Sequence, residues 1–289
     1  MNSSWRIGVD VGGTFTDFTL FEEKKNYLFN HKTPSTPDEP AEAVEKGLIY
    51  LIKKYGIDPS TIQYLGHGTT VALNMLLERR AKPIGLITTK GFRDVLEIAR
   101  QTRPNLYNYE IKRPEPLAKR SHRIEIPERI NVDGIVQLPL DHGAVEQAAL
   151  DFLNNDIEAI AICFLHSYKN ADHEIQAAEI IRNTLPNAFL SLSSEVLPEF
   201  REYERFSTTV LNAALLTVMN AYLDRLTKGV AEKGIAAEPT ISQSGGGLMS
   251  ATYSRRYPIR SALSGPAAGV PHNPEVRRMH IWKIIAASL

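Results

Sequence analysis

The sequence predicts an α/β protein, and three patterns carry that prediction. The chain opens with β-branched and aromatic runs, "WRIGV", "FTDFTLFEE" and a third at 26–32, joined by turns short enough for an antiparallel meander. From residue 36 onward, stretches with helical apolar spacing alternate with short apolar runs. Apolar residues make up 43% and charged residues 23% of 289, so the chain can bury a substantial core and has the length of about two domains.

Residues 5–11, 14–22 and 26–32 read as the three opening strands. "STPDEPAEAVEKGLIYLIKKYG" reads as a helix, with Thr36 as the candidate N-cap, acids in the first turn, Lys53 and Lys54 in the last, and Gly56 as the stop. A strand at 62–66, a helix at 70–80, a strand at 83–88 and a helix at 91–101 follow. Residues 102–140, with "RQTRPNLYNYEIKRPEPLAKR", read as a long solvated connector. Bases among aromatics can mark a nucleic-acid surface, but no wider basic domain supports that here. Residues 141–190 resume as helix, strand, helix, strand, a second α/β layer. A long helix over 203–228, a strand at 239–243, three glycines, a short helix and a strand at 258–263 complete the order. Three antiparallel strands followed by alternating helix and strand is the order of a ribonuclease H-like half-domain, the unit of actin-like ATPases.

Lys plus Arg and Asp plus Glu are equal at 33 each, so no overall charge draws the chain to nucleic acid or an anionic membrane. The one cysteine, Cys163, lies in "AIAICFLH", a buried-strand pattern, which leaves no disulfide within the chain and favours a reducing, cytoplasmic setting. The start has no basic-then-apolar leader, and no apolar run nears the roughly 18 residues that span a bilayer. Metal-ligand spacing and a GxSxG elbow are absent. "DHE" at 172–174 reads as the first turn of a helix. Glu195, Glu199, Glu202 and Glu204 with Arg201 and Arg205 read as surface ion pairs.

The chemistry concentrates in glycine turns. In "DVGGTFTD", Gly12 and Gly13 leave a hairpin tip bare, flanked by Thr14 and Thr16 and bracketed by Asp10 and Asp17. Backbone N–H groups in such a turn form an anion-binding concavity, and Asp10 fits a magnesium ion held through water. "LGHGTTVALNMLLERR" ends a strand and starts a helix near Thr69 or Thr70, aiming free N–H groups forward, with Thr69 as a candidate N-cap and His67 as a proton-transfer candidate. "ISQSGGGLMS" and "SALSGPAAGV" are further glycine turns at strand ends. Together these turns suggest several sides of one nucleotide cleft.

These motifs, with "LITTKGFRDVLEIARQTRPNLY", "CFLHSYKNADHE" and "SSEVLPEFREYERFSTTVLNAAL", resemble the hydantoinase A/5-oxoprolinase family in order from about residue 5 to 270. The resemblance implies an actin-like ATPase N-terminal lobe with an additional α/β region, and ATP-dependent opening of 5-oxoproline, a hydantoin or N-methylhydantoin. A related branch supplies the ATP-using subunit of acetone carboxylases. Implied cofactors are ATP and magnesium, and the implied partner is a hydantoinase B-type subunit. Asp10 and His67 become the catalytic candidates, with Asp10 on the hydrated magnesium. The nucleotide set is Gly12, Gly13, Thr14, Thr16 and Asp17 with Gly245, Gly246, Gly247, Ser264 and Gly265. Gly68, Thr69 and Thr70 are placed near the substrate.

The expected domains are a half-domain at 1–105, an α/β continuation at 106–195, the start of the hydantoinase A domain at 196–270 and a divergent tail at 271–289. In the family a helix and a second glycine hairpin follow "SGPAAGV". Here "PHNPEVRRMHIWKIIAASL" follows, with two prolines in four residues, so the tail reads as a truncation or frame change with the second lobe missing. On that expectation the chain alone is inactive. The alternative is a non-catalytic remnant that binds nucleotide or a partner.

Overall fold

A computed structural model describes residues 4–264 apart from 103, 104, 106, 109 and 112. The chain begins with β1 (Trp5–Val11), β2 (Phe15–Glu22), β3 (Tyr27–Pro34), α1 (Pro40–Tyr55), β4 (Ile62–Thr69) and α2 (Val71–Leu77). Then come β5 (Ile84–Thr89), α3 (Val95–Ile98), β6 (Arg123–Ile126), β7 (Arg129–Ile130), β8 (Val136–Leu138) and α4 (His142–Asn154). β9 (Ala159–Cys163), α5 (Asp172–Thr184), β10 (Phe189–Leu192) and α6 (Ser193–Val196) lead into α7 (Glu202–Glu232). β11 (Pro239–Ser242), β12 (Leu248–Ser250) and α8 (Ala251–Arg256) close the described order. Two units result. Residues up to Glu78 with those from Val218 make one, and Arg79–Thr217 the other.

The first unit is built on a six-stranded sheet in the order β12-β11-β4-β1-β2-β3. β1, β2 and β3 are the antiparallel meander, while β4 and β11 run parallel to β1. This is the ribonuclease H-like arrangement of an actin-like N-terminal lobe. Its inner face carries Ile7, Val9 and Val11 of β1 with Phe18 and Leu20 of β2, all buried. α1 covers that face, and Gly47 makes the close approach possible, since a Cβ there would lie 2.1 Å from the Phe18 ring. α1 begins at Pro40 rather than Thr36. Pro37 and Pro40 delay it, and the Thr36 hydroxyl instead accepts from Ala43 N at 3.2 Å. Gly56 ends it at φ 60°, the left-handed stop the sequence predicts.

The fifth strand of this sheet is β11, not β5. β5, expected to continue the half-domain, pairs in the second unit's sheet, whose order is β10-β9-β5-β6 with all strands parallel. All six residues of β5 and all five of β9 are buried, so their apolar runs name no sheet in advance. α4 and α5 pack on this sheet with Val145, Ala149, Phe152, Ala177 and Ile181 in the core. The segment read as a connector contains β6 and the separate β7–β8 ribbon. The expected helix at 91–101 shrinks to α3, between Gly91 at φ 90° and Ala99 at φ 48°. The expected strand at 258–263 is a 3₁₀ turn, Pro258–Ser261.

The division between units falls within α7. Among the described residues it alone is long and apolar enough to cross a membrane, and 67% of its most apolar window is buried inside the protein, as in a core helix.

Candidate functional site

β1, β4 and β11 are parallel and end at one edge of the first sheet, at Val11, Thr69 and Ser242, with Val11 paired to Thr69. In α/β sheets the crevice outside the carboxyl ends of the strands is where ligands bind. The turn at 12–14, the entry to α2 and the turn at 243–247 all leave from this edge.

The first turn is braced from behind. Gly12 N donates to Phe15 O at 3.0 Å, Ser35 N donates to Thr14 O at 2.9 Å, and Ser35 Oγ donates to Gly12 O at 2.8 Å. Thr16, expected among the phosphate donors, is fully buried, and its hydroxyl lies 3.0 Å from Ser35 Oγ. Strand alternation puts it on the Phe18 face, so it supports the turn. Gly13 and Thr14 are exposed. A Cβ on Gly13 would meet only Asn74 Nδ2, at 4.0 Å, and neither Gly12 nor Gly13 has a left-handed φ. The backbone therefore does not require glycine at 13. The missing side chain leaves open space beside bare N–H groups.

Asp10 stands beside this turn. It pairs with Asp17 across β2 and with Gly68 across β4. A Cβ on Gly68 would lie 2.8 Å from Asp10 Oδ1, so that glycine leaves room for the carboxylate. Partial burial, and then the like charge of Asp17, raise the Asp10 pKa above the ordinary carboxylate value. Asp17 is exposed and pairs with Lys32 Nζ at 3.2 Å. No group of three metal-ligating side chains gathers among the described residues. A single part-buried carboxylate beside a turn of bare N–H groups could take a magnesium ion only through water, and a cation there would offset the cost of ionising Asp10.

His67 lies on the other face of β4, opposite Val9 and Ile241. It is buried, its Nε2 is 2.5 Å from the Tyr222 hydroxyl, and burial pushes its pKa down to about 4. A neutral imidazole on the core face is badly placed for proton transfer at the edge, because neighbouring strand residues point to opposite faces. Thr69 is buried too, and its hydroxyl accepts from Val71 N at 3.1 Å. Thr70 takes the N-cap position of α2, donating from N and Oγ1 to Val11 O at 3.0 and 3.1 Å.

The three later glycines form a hairpin turn between β11 and β12 rather than a strand-to-helix loop. Gly246 has φ 73°, and Gln243 N donates to Gly247 O at 2.8 Å. Gly245 and Gly247 have open space where a Cβ would stand. Ser244 Oγ accepts from Leu263 N at 2.8 Å, and Ser264 Oγ donates to Thr69 O at 3.0 Å. Ser264 is thus tied to the end of β4, while Gly265 lies outside the described residues.

Sequence reasoning missed a buried polar network in the second unit. Glu128 accepts from the Thr89 hydroxyl and holds His173 Nδ1 at 2.7 Å. The Glu174 carboxylate accepts from Phe164 N at 3.0 Å, Ser193 Oγ at 2.7 Å and Ser194 N at 2.9 Å, and its burial raises its pKa. Arg205, expected in a surface ion pair, is fully buried and donates to Glu199 O and Phe164 O at 2.6 and 3.1 Å. A signal was present: Glu174 shares a helical stripe with Ala177, Ala178 and Ile181, the core face of α5.

Two family descriptions match this chain: "Hydantoinase/oxoprolinase N-terminal region" over residues 6–185 and "Hydantoinase/oxoprolinase" over 205–281. The caprolactamase subunit alpha of Pseudomonas jessenii is 37% identical over 271 residues, 91% of this chain and 39% of that one. A 5-oxoprolinase of Saccharomyces cerevisiae is 32% identical over 307 residues, 92% of this chain and 23% of the relative. The crystal structure of the ATP-dependent caprolactamase superposes with a TM-score of 0.83 at 35% identity, covering 91% of this chain and 39% of that one. Nucleotide-free acetone carboxylase gives 0.82 at 24% identity, 93% and 40%, a likeness of fold. The chain thus spans about two fifths or less of each of these proteins.

Proposed function

We propose a function from one premise: the chain belongs to the hydantoinase/oxoprolinase family. Its first unit is the ATP-phosphate side of an enzyme that opens a cyclic amide, such as 5-oxoproline, a hydantoin or a lactam. One observation carries this reading, the side-chain-free turn at Gly12 and Gly13 beside Asp10, at the edge where three parallel strands end.

In this reading the N–H groups of Gly13 and Thr14 and the Thr14 hydroxyl face the phosphates. Asp10 holds the hydrated magnesium, with Gly68 leaving it room. Magnesium supplies charge neutralisation on the phosphate oxygens. Thr16 and Ser35 brace the turn, Thr70 anchors the α2 entry to β1, and the Gly245–Gly247 and Ser264 turns line the same edge. An unstrained amide has a poor leaving group, which explains a need for ATP. Transfer of the γ-phosphoryl group to the amide oxygen releases ADP and leaves an imidate-like carbon. Water then adds at that carbon and the ring C–N bond breaks as the nitrogen takes a proton, leaving an acyl phosphate that a second water cleaves to carboxylate and phosphate. Such transfer depends mainly on positioning and on charge stabilisation. The caprolactamase relative is named a subunit, which favours a separate partner subunit here, of the B type in the resemblance.

Calorimetric titration of the chain with ATP, with and without magnesium, tests the reading. The expected result is magnesium-dependent binding that loses its magnesium dependence in Asp10→Asn. Binding indifferent to magnesium, or absent, overturns it.

A further inference from the structure

β4 lies between β1 and β11, yet it ends in Gly66, His67, Gly68 and Thr69. Glycine weakens a strand interior because it has no side chain to pack. On the Asp10 face Gly66 and Gly68 contribute none, and the space above Gly68 is taken by the Asp10 carboxylate. Beyond their backbone pairing to β1 and β11, residues 66–69 have side chains of their own to pack only on the other face.

There His67, 1% exposed, makes its 2.5 Å bond to Tyr222 of α7, with ring centroids 5.7 Å apart. Its Nδ1 is enclosed and has no hydrogen-bond partner among the described residues. A buried polar atom without a partner is costly, so an apolar side chain of similar volume would serve packing better. What imidazole adds is a directional bond to the helix.

We propose that Tyr222 and His67 are positioning residues whose hydrogen bond sets the place of residues 68–70. That place fixes the room for Asp10 above Gly68 and the bonds of Thr70 to Val11 O, at the end of the strand that leads into the glycine turn. Ser264 Oγ, donating to Thr69 O, is joined to the same segment. The functional consequence rests on the phosphate-site reading above. Both side chains lie behind the sheet edge and act through β4.

Tyr222→Phe deletes one oxygen and keeps the ring. Three readouts on the full chain test the proposal: amide hydrogen exchange at 68–70 against Thr19 and Leu20 in β2, ¹⁵N spectra of the His67 ring, and MgATP affinity well below the unfolding temperature. Exchange at 68–70 is expected to rise about tenfold with β2 unchanged, the imidazole signals to shift toward mixed tautomers, and affinity to fall about fivefold to tenfold. His67→Leu, which fills the volume without the bond, should reproduce the loss, and His67→Gln should restore part of it. Unchanged exchange at 68–70, or an equal rise throughout the sheet, overturns the proposal. Wild-type affinity for MgATP retained in His67→Leu does so as well. Should the wild type bind no MgATP at all, the phosphate-site reading fails, while the exchange and ring spectra still decide whether this pair positions β4.

Discussion

Two parallel-strand edges in this molecule answer the same problem in opposite ways. In the second unit, the edge where β5, β6, β9 and β10 end is filled by the chain's own polar groups. Glu174 takes the N–H groups of Phe164 and Ser194, and the Thr89 hydroxyl takes that of Leu165 at 2.9 Å. In the first unit the comparable edge is stripped of side chains at Gly12, Gly13, Gly245 and Gly247. Strand ends present free donors, and a protein either satisfies them internally or leaves them to a ligand. The second unit's edge is a closed structural core, and the first unit's edge is the open one.

The contrast breaks most visibly at Glu174. Replacing it with Ala leaves the buried Phe164 N–H and the part-buried Ser194 N–H without their acceptor and the Ser193 hydroxyl with Ser167 alone, and should destabilise the second unit by about 3 kcal/mol. Chemical denaturation measures this, and MgATP affinity of the folded protein should be unaffected. Next comes Gly13→Val at the open edge. It should weaken MgATP binding by about 100-fold. The melting temperature should move less than about 3 °C, because Gly13 is exposed and a Cβ there would meet only Asn74 Nδ2, at 4.0 Å. A variant that binds normally would reduce the hairpin to a simple turn.

Gly68→Ala sharpens the comparison within the open edge. Its methyl would collide with Asp10 Oδ1, so the carboxylate must turn away and magnesium-dependent binding should fall about tenfold. Loss of affinity without any change in magnesium dependence would separate Gly68 from Asp10. The smallest effect concerns pH at the closed edge. The Glu174 pKa is raised from 4.5, so the folded state holds its proton more tightly than the unfolded one does. The resulting stabilisation is full below the ordinary carboxylate value and is lost as pH rises through the raised one. Wild type should therefore gain stability relative to Glu174→Gln as pH falls from neutral toward 4.5. Parallel stability curves for the two proteins would contradict this.

The meander, α1, α4, α5, β9 and the Gly12–Gly13 turn are legible in the residues alone, because strand alternation, helical spacing and glycine turns are short-range properties. "RIEI", which forms β6, reads as connector because four residues with two charges carry almost no periodic signal. His67 reads as available for chemistry because a sequence does not say which face of a strand meets a helix. Tertiary structure decided that β11, more than 150 residues after β4, completes the first sheet while β5 joins the second. Fully buried strands carry the same apolar text wherever they pair, so long crossovers settle the choice. It also buried Arg205, whose charge read as surface, and Glu174, which read only as part of a helix's first turn. The sequence by itself determined the meander, most of the longer helices and where a gap without side chains opens in the backbone. Which side chains stand behind that gap depended on packing between segments far apart in the chain.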